Sequence, residues 1–221
     1  MRLTLIRHGQ TPANVKGILS TAAPGPGLTA LGEKQAAMIP RALAGMPVDA
    51  IYVSTLVRTH LTAAPLAADR GLDAAVLPGI HEIEAGDLED LRDMRSVRTY
   101  LETAFAWGSG DLSPVMPGGT DGHAFFRRFD ADIARVAAES EHAVVVSHGA
   151  AIRVWVAGRA VNVAPSYAGE HDIDNTGVIE LEGDPEAGWT LLSWQGTPVG
   201  GAQLADPSAE DPTGESLEEV R

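Results

Sequence analysis

Three short apolar runs constrain the fold of this chain more than any other feature of its sequence. LTLI at 3–6 and HAVVVS at 142–147 lack the alternation of apolar and polar residues typical of strands with one wet face, and DAIYVS at 49–54 is similar. Longer segments of helical character lie between them, at 29–44, 55–69, 94–106 and 121–140. Strands that alternate with helices predict an α/β protein, a three-layer sandwich whose central, mostly parallel sheet has helices on both faces.

Later segments predict a different kind of strand pairing. VIELE at 178–182 and WTLLSW at 189–194 are strand-like and are separated by the turn-forming sequence GDPEAG. Two strands joined by a short turn pair antiparallel, so we expect an antiparallel edge on the sheet.

Thr29 is a plausible N-cap for the helix that follows it, and Pro40 is expected to kink or end that helix.

Length and composition predict one domain, residues 1–197, followed by a tail, residues 198–221. The tail is rich in glycine and proline and contains six acidic residues and one arginine. A segment of this composition buries too little apolar surface to offset the entropy of ordering the chain. We therefore expect an acidic, solvated C-terminal tail.

The charge of the chain limits its classes of partner. Sixteen Lys and Arg residues against 30 Asp and Glu residues give a formal net charge of −14. This field repels the phosphates of nucleic acids and anionic membranes, so we expect neither as a partner. A small anionic substrate is compatible with the charge, because screening acts over about 8 Å and a few arginines dominate inside a pocket.

The absence of cysteine excludes disulfides, thiolate metal ligands and a cysteine nucleophile. The N-terminal apolar run stops at Arg7, short of the core of a signal peptide, and no stretch approaches about 18 apolar residues. We expect a cytoplasmic protein, and a homo-oligomer is compatible with the sequence.

We expect no metal and no cofactor. Five histidines lie outside the two His-Gly pairs, and none of them has the spacing of metal ligands: His60, His81, His123, His142 and His171.

Two strand ends carry the same dipeptide. Arg7, His8 and Gly9 follow the first apolar run, and His148 and Gly149 follow the HAVVVS run. Ligands bind at the carboxyl edge of a parallel sheet, and glycine lets the backbone approach a bound group closely. We interpret a cation beside an imidazole at this edge as a phosphate site that contains a nucleophile.

A third strand end, VSTLVRTH, places Arg58 about one turn into a helix. At this point the chain resembles the histidine phosphatase superfamily, also called phosphoglycerate-mutase-like. The resemblance covers residues 3 to about 180 and rests on blocks in the family's order: RHGQT with Asn14 six residues beyond His8, LTALGEKQA, S-x-x-x-R-T-x-x-T-A around Arg58, E-I-x-x-G-x-L-E from Glu82, PGG at 117–119 and SHGAAIR at 147–153.

The resemblance implies that His8 is the nucleophile and forms a phosphohistidine. A neutral imidazole has an ordinary pKa near about 6.5 and needs no strong base at neutral pH. The groups that the resemblance implies around the transferred phosphoryl group are Arg7, Arg58 and His148, with Asn14 and Gly149 as additional contacts. Asn14 is equally typical of a turn.

The family assigns protonation of the leaving alkoxide to a carboxylic acid. Glu82 and Glu84 in GIHEIEAGDLED are the candidates, and the family's spacing of acid-x-x-x-Gly favours Glu82 with Gly86. A glutamate that donates a proton at neutral pH needs a raised pKa. Desolvation and a phosphate dianion favour that, whereas the arginines oppose it.

The segment from about 88 to 118 forms the most variable part of the pocket roof in this family. It contains Arg92, Arg95 and Arg98, which share one helical face and either meet a second anionic group or form a solvated face. Trp107 is either an aromatic lid or a core residue.

We expect a metal-independent phosphomonoester hydrolase that acts on a small phosphorylated metabolite. A phosphoglycerate mutase is the first alternative, but the region where the family's mutases carry a WRR-like stretch reads YLETAFAWGSGD, and hydrolysis is favoured. A non-catalytic module that binds phosphorylated ligands is the second. Such a module would have lost a nucleophile or an arginine, and this sequence retains both.

Overall fold

The computed structural model describes residues 1–214 of the chain. The strands are β1 (Arg2–Arg7), β2 (Ala50–Val53), β3 (Ala74–Val76), β4 (His142–Ser147), β5 (Val178–Asp184) and β6 (Gly188–Gln195). The helices are α1 (Pro12–Val15), α2 (Ala30–Ala42), α3 (Val57–Arg70), α4 (Met94–Gly108), α5 (Gly122–Glu139), α6 (Gly149–Arg159) and α7 (Tyr167–Glu170). Every strand and helix predicted from the sequence is present, with its ends shifted by one or two residues at most.

The strands form one sheet in the order β3-β2-β4-β1-β5-β6. Strand β1 pairs parallel with β4, and β2 pairs parallel with both β3 and β4. Strand β5 runs antiparallel to β1 and to β6. The predicted mostly parallel sheet with an antiparallel edge is therefore confirmed.

Helices cover both faces of the sheet because successive residues of a strand point to opposite sides. In β1, Leu3 and Leu5 belong to a core shared with α4, α5 and α6, whereas Ile6 belongs to a second core shared with α2 and α3. All three side chains are fully buried. The result is the predicted three-layer arrangement.

Helix α2 begins and ends as its sequence suggests. The Thr29 side chain accepts a hydrogen bond from the backbone N–H of Gly32 at 3.0 Å, which satisfies a donor in the first turn. Pro40 lies in the last turn, and the helix ends two residues later at Ala42. Thr29 is thus the N-cap, and the proline marks the end of the helix.

The prediction of a solvated tail is wrong for two stretches of it, 198–199 and 211–214, which are buried, whereas 201–203, 207–208 and 210 are exposed. Val199 is buried in the core shared with α2 and α3, and Asp211 and Thr213 are also buried. The physical reason is that the Asp211 carboxylate pairs with the buried guanidinium of Arg7, so its charge is neutralised without water. The rest of the predicted tail, 215–221, lies outside the described residues.

Gly32 sets the close approach between α2 and the loop after β1. A Cβ atom on Gly32 would lie 2.2 Å from the carbonyl oxygen of Gln10 and 2.9 Å from its nitrogen, both backbone atoms. We expect Gly32→Ala to lower the free energy of unfolding by about 1–3 kcal/mol, because one of the two backbones must move. Urea unfolding measures this, with Gly45→Ala as the control because a Cβ there meets nothing within 4 Å. Equal stability of the two variants would contradict the argument.

Candidate active site

The two His-Gly junctions meet at the carboxyl ends of β1 and β4. The parallel register pairs Arg7 with Ser147, so the next residues, His8 and His148, leave the sheet side by side. Their ring centroids are 5.2 Å apart. Adjacent parallel strands therefore bring together two imidazoles that are 140 positions apart in the sequence.

His8 is held in an orientation that suits a nucleophile. Its Nδ1 is 2.8 Å from the carbonyl oxygen of Gly9, which only accepts, so Nδ1 carries the hydrogen and Nε2 the lone pair. Burial, followed by the charges of Arg58 and Arg7, lowers the pKa of His8 well below its ordinary value of 6.5. The imidazole is neutral at neutral pH, as a nucleophilic nitrogen requires.

Arg58 contributes a buried cation with two unpartnered nitrogens to the site. Its Nη2 donates to the carbonyl oxygen of Ser20 at 3.0 Å, whereas Nε and Nη1 are buried without a hydrogen-bond partner among residues 1–214. Burial lowers the pKa of Arg58 to about 10, Glu82 opposes this shift and Arg7 adds to it. The group is still cationic at neutral pH. Unsatisfied buried donors of this kind are expected where an anion binds.

Arg7 is fully buried and already holds an anion. Its Nη1 and Nη2 each donate to one carboxylate oxygen of Asp211 at 2.5 Å, and Nη1 also donates to the carbonyl oxygen of Ile173 at 2.7 Å. Burial lowers the pKa of Arg7, but the charge and hydrogen bonds of Asp211 more than offset this, so the pKa lies above its ordinary value.

His148 stands opposite His8 and is fixed by Ser54. Its Nε2 is 2.8 Å from the Ser54 hydroxyl, while Nδ1 is buried and without a partner in the described part of the chain. Burial, followed by the charges of Arg58 and His8, lowers the pKa of His148 well below 6.5. The second imidazole is therefore also neutral at neutral pH.

Glu82, and not Glu84, lines the pocket beside His8 and Arg58. Glu82 Oε1 accepts from the backbone N–H of Ala151 at 2.9 Å, in the first turn of α6. Burial raises the pKa of Glu82, although hydrogen bonds and Arg58 oppose the shift. Glu84 is half-buried, and its hydrogen bond to His81 at 2.7 Å lowers its pKa. The geometry therefore favours Glu82 as the acid.

Asn14 caps helix α1 and contacts a carboxylate. Its amide oxygen accepts from the backbone N–H and hydroxyl of Thr11 at 2.9 and 2.8 Å, which caps α1. Its Nδ2 donates to a carboxylate oxygen of Asp211 at 2.9 Å. Asn14 is thus a capping residue and an anion contact at once.

Gly149 begins α6 next to Arg7. A Cβ atom on Gly149 would lie 3.0 Å from Arg7 Nε and 2.5 Å from the carbonyl oxygen of Thr213. The absence of a side chain here lets the backbone approach both groups.

The arginines of the roof stay at the surface. Arg92 and Arg95 are exposed, and Arg98 pairs with Glu102 one turn further along α4 at 2.7 Å. Trp107 is buried in the core, where its Nε1 donates to the carbonyl oxygen of Pro114 at 2.9 Å. The described residues therefore support the solvated-face interpretation for the arginines and the core interpretation for the tryptophan.

Several residues that position the site were missed by the sequence argument. Thr62 accepts from Gly9 N–H at 2.9 Å and donates to the carbonyl oxygen of Arg58 at 2.7 Å, which links the loop after His8 to helix α3, which carries Arg58. Ser54 orients His148 as described. Both are hydroxyls in the S-x-x-x-R-T-x-x-T-A block, so their position in the block was the available signal. Asp211 and Thr213 gave no such signal, because an acidic Gly/Pro-rich segment is typical of solvated chain.

Within residues 1–214, no group of three or more His, Cys, Asp or Glu side chains is arranged to hold a metal ion. None of the helices in this range has the length and apolarity required to cross a membrane.

The family model described as "Histidine phosphatase superfamily (branch 1)" matches residues 3–197. The chain belongs to this superfamily. An adenosylcobalamin/alpha-ribazole phosphatase of Escherichia coli is 34% identical over 160 residues, which cover 71% of this chain and 78% of the relative. A PE-PGRS family protein of Mycobacterium tuberculosis is 42% identical over 220 residues, which cover 91% of this chain. This histidine phosphatase chain spans only 38% of the length of that second relative.

Solved structures of histidine phosphatases share the fold. The alpha-ribazole phosphatase of Shigella flexneri superposes with a TM-score of 0.70 at 29% identity, covering 88% of this chain and 96% of that one. A mycobacterial glucosyl-3-phosphoglycerate phosphatase gives a TM-score of 0.73 at 24% identity, covering 89% and 99%, and shows the fold alone. These matches confirm the predicted family and class, a phosphatase of the histidine phosphatase superfamily.

We expect Arg58→Lys to lower kcat/KM for 4-nitrophenyl phosphate by about 100-fold. A lysine keeps the charge but loses the planar fork that presents Nε and Nη1 to one anion, and such donors act mainly on the transition state. Steady-state kinetics measures the loss. Arg98→Lys, an exposed arginine paired with Glu102, is the control and is expected to stay within about twofold of the unaltered protein. Full activity of the Arg58 variant would show that charge alone suffices.

Proposed function

We propose that this chain is a phosphomonoester hydrolase that works through a phosphohistidine at His8 and needs no metal ion. One observation carries the proposal: a neutral, buried imidazole shares a pocket with an arginine that has two unpartnered N–H donors and with a buried glutamate. These are a nucleophile, a group that stabilises phosphoryl charge, and a proton donor for the leaving group.

In the first step, the Nε2 lone pair of His8 attacks phosphorus, and the bond between phosphorus and the ester oxygen breaks. The electron pair of that bond goes to the departing alcohol oxygen, which receives the proton of Glu82. Arg58 and His148 hold the equatorial phosphoryl oxygens, where charge accumulates. The products are an alcohol, the Glu82 carboxylate and phospho-His8.

In the second step, the Glu82 carboxylate takes a proton from a water molecule while the water oxygen attacks phosphorus. The phosphorus–nitrogen bond breaks, and its electron pair returns to Nε2 of His8. Orthophosphate leaves and Glu82 is again protonated. Dividing one displacement into two lets the same carboxyl group act first as acid and then as base.

We propose a small phosphorylated metabolite as the substrate. The relative from Escherichia coli, which matches this chain over 78% of its own length, is named an adenosylcobalamin/alpha-ribazole phosphatase. This relationship supports alpha-ribazole phosphate as the first compound to test in a panel of phosphorylated metabolites. The roof segment, about 88 to 118, is where we expect preference among such compounds to be set.

The function is tested by trapping the intermediate. The protein is mixed with radiolabelled phosphomonoester in excess chelator and quenched in alkali or in acid. We expect turnover that resists the chelator and a labelled protein that is stable to base, labile to acid and labelled on the peptide containing residue 8. Silencing by the chelator would instead indicate a metallophosphatase. Absence of turnover and label would indicate a non-catalytic module, and interconversion of phosphoglycerates faster than phosphate release would indicate a mutase.

A further inference from the structure

The C-terminal segment Asp211–Gly214 borders the pocket assigned to the phosphoryl group. Pro212 and Thr213 line this pocket together with His8, Arg58 and Glu82. The backbone carbonyl of Gly214 accepts from Ile173 N–H at 3.0 Å, which ties the segment to the loop before β5. The middle of the segment therefore forms part of the wall around the reacting groups, and its end is attached to a neighbouring loop.

The carboxylate of Asp211 uses the donors that a phosphoryl group needs. It accepts from both Nη atoms of Arg7 at 2.5 Å, the bidentate geometry by which arginine also binds phosphate. The same carboxylate accepts from Asn14 Nδ2 at 2.9 Å. Each of these donors was predicted from the sequence as a phosphate contact. The side chain of Asp211 thus has the charge and the partners of a bound anion.

The segment also fits the pocket through its neighbours. The hydroxyl of Thr213 accepts from Arg7 Nη2 at 3.1 Å, and the carbonyl oxygen of Thr213 lies against Gly149, where a Cβ would be only 2.5 Å away. The segment thus contacts Arg7, at the end of β1, and Gly149, just after β4. A surface loop that only lay nearby would not need both contacts.

We propose that Asp211–Gly214 is an internal competitive ligand of the phosphate site, with the Asp211 carboxylate in the place of a phosphoryl anion. This inference rests on the proposed function. Substrate and segment exclude each other, because two anions compete for the donors of Arg7 and Asn14. Thr213 also lines the pocket that the phosphoryl group enters. The apparent affinity for substrate is then lowered by the fraction of molecules in which the segment has left the site.

The first test compares Asp211→Asn with Glu210→Gln. Both remove one carboxylate charge from adjacent positions, but Glu210 is exposed and makes no side-chain hydrogen bond within residues 1–214. We expect Asp211→Asn to bind orthophosphate at least about tenfold more tightly by titration calorimetry, and to lower KM for 4-nitrophenyl phosphate by a similar factor. We expect the Glu210 variant to match the unaltered protein. Weaker phosphate binding by Asp211→Asn would overturn the proposal, since it would show that Asp211 organises Arg7 for the substrate.

The second test needs no variant, because competition is reciprocal. Orthophosphate added to the full chain should raise hydrogen exchange at the backbone N–H of Ile173, whose hydrogen bond to the carbonyl oxygen of Gly214 joins the segment to the body of the protein. Unchanged or slower exchange at phosphate saturation would overturn the proposal. Both tests use phosphate binding, so they give an answer even if the chain hydrolyses nothing. Conversely, a chain that is catalytically active but shows neither effect would leave the proposed function intact and refute the internal ligand.

Discussion

His8→Ala is expected to lower kcat for 4-nitrophenyl phosphate by at least about 10⁴-fold and to abolish the trapped phosphoenzyme. The variant lacks the only atom proposed to form the covalent bond, and no cysteine in the chain replaces it. Binding should survive, because the donors of Arg58 belong to a different element. We therefore expect orthophosphate affinity to stay within a few-fold, measured by calorimetry beside the kinetics.

His123→Ala is the matched control for the loss of an imidazole. His123 is exposed on α5, and we expect its replacement to leave kcat within about twofold. Residual turnover above a hundredth of the original rate in a correctly folded His8→Ala protein would place the nucleophile elsewhere. Loss of phosphate binding in that variant would instead point to collapse of the pocket, and thermal unfolding of both variants separates the two outcomes.

Glu82→Gln is expected to affect substrates according to their leaving group. An alkyl phosphate needs a proton on its departing oxygen, so we expect its rate of phosphoryl transfer to fall by about 10²–10⁴-fold. The 4-nitrophenolate anion departs without a proton, so transfer to His8 should continue while hydrolysis of phospho-His8 slows. Rapid-quench kinetics should then show a burst of one equivalent of 4-nitrophenolate. Equal losses with both substrates would contradict the role of Glu82 as acid.

The pH dependence supplies a second readout for Glu82. Burial raises its pKa, and only the protonated form donates, so the rate with alkyl phosphates should fall as pH rises through this raised pKa. This fall in rate with rising pH should be absent from the pH–rate profile of Glu82→Gln. Glu84→Gln is the control, because Glu84 pairs with His81 outside the pocket, and its profile should keep the fall.

Most of the fold was predictable because the strands and helices carry strong local signals. β1 and β4 lack the alternation of apolar and polar residues in their buried parts, and α4 and α5 are amphipathic with one buried face. Helix α6 was not among the predicted helices, since every residue from Gly149 to Ala157 is buried and no polar face marks its period. Strand β3 has only three residues, Ala74–Val76, which is too short for a pattern to emerge.

The part of the candidate site that lies at strand ends was predictable from the sequence. His8, Arg58 and His148 come together as expected because the parallel sheet brings the carboxyl ends of β1, β2 and β4 to one edge. The involvement of Asp211 was not predictable from composition. Composition averages over a segment, whereas one carboxylate that reaches a buried guanidinium decides where the segment lies.

The pairing of Arg7 with Ser147 also bears on how enzymes of this architecture diversify. Adjacent strands are held about 4.8 Å apart by their backbone ladder, and the two imidazoles that leave these strands lie at a similar separation, 5.2 Å. Widening that gap would break the centre of the sheet. Directed evolution toward new esters should therefore accumulate changes in the surrounding loops. The phosphoryl group should remain common to every substrate that the variants accept.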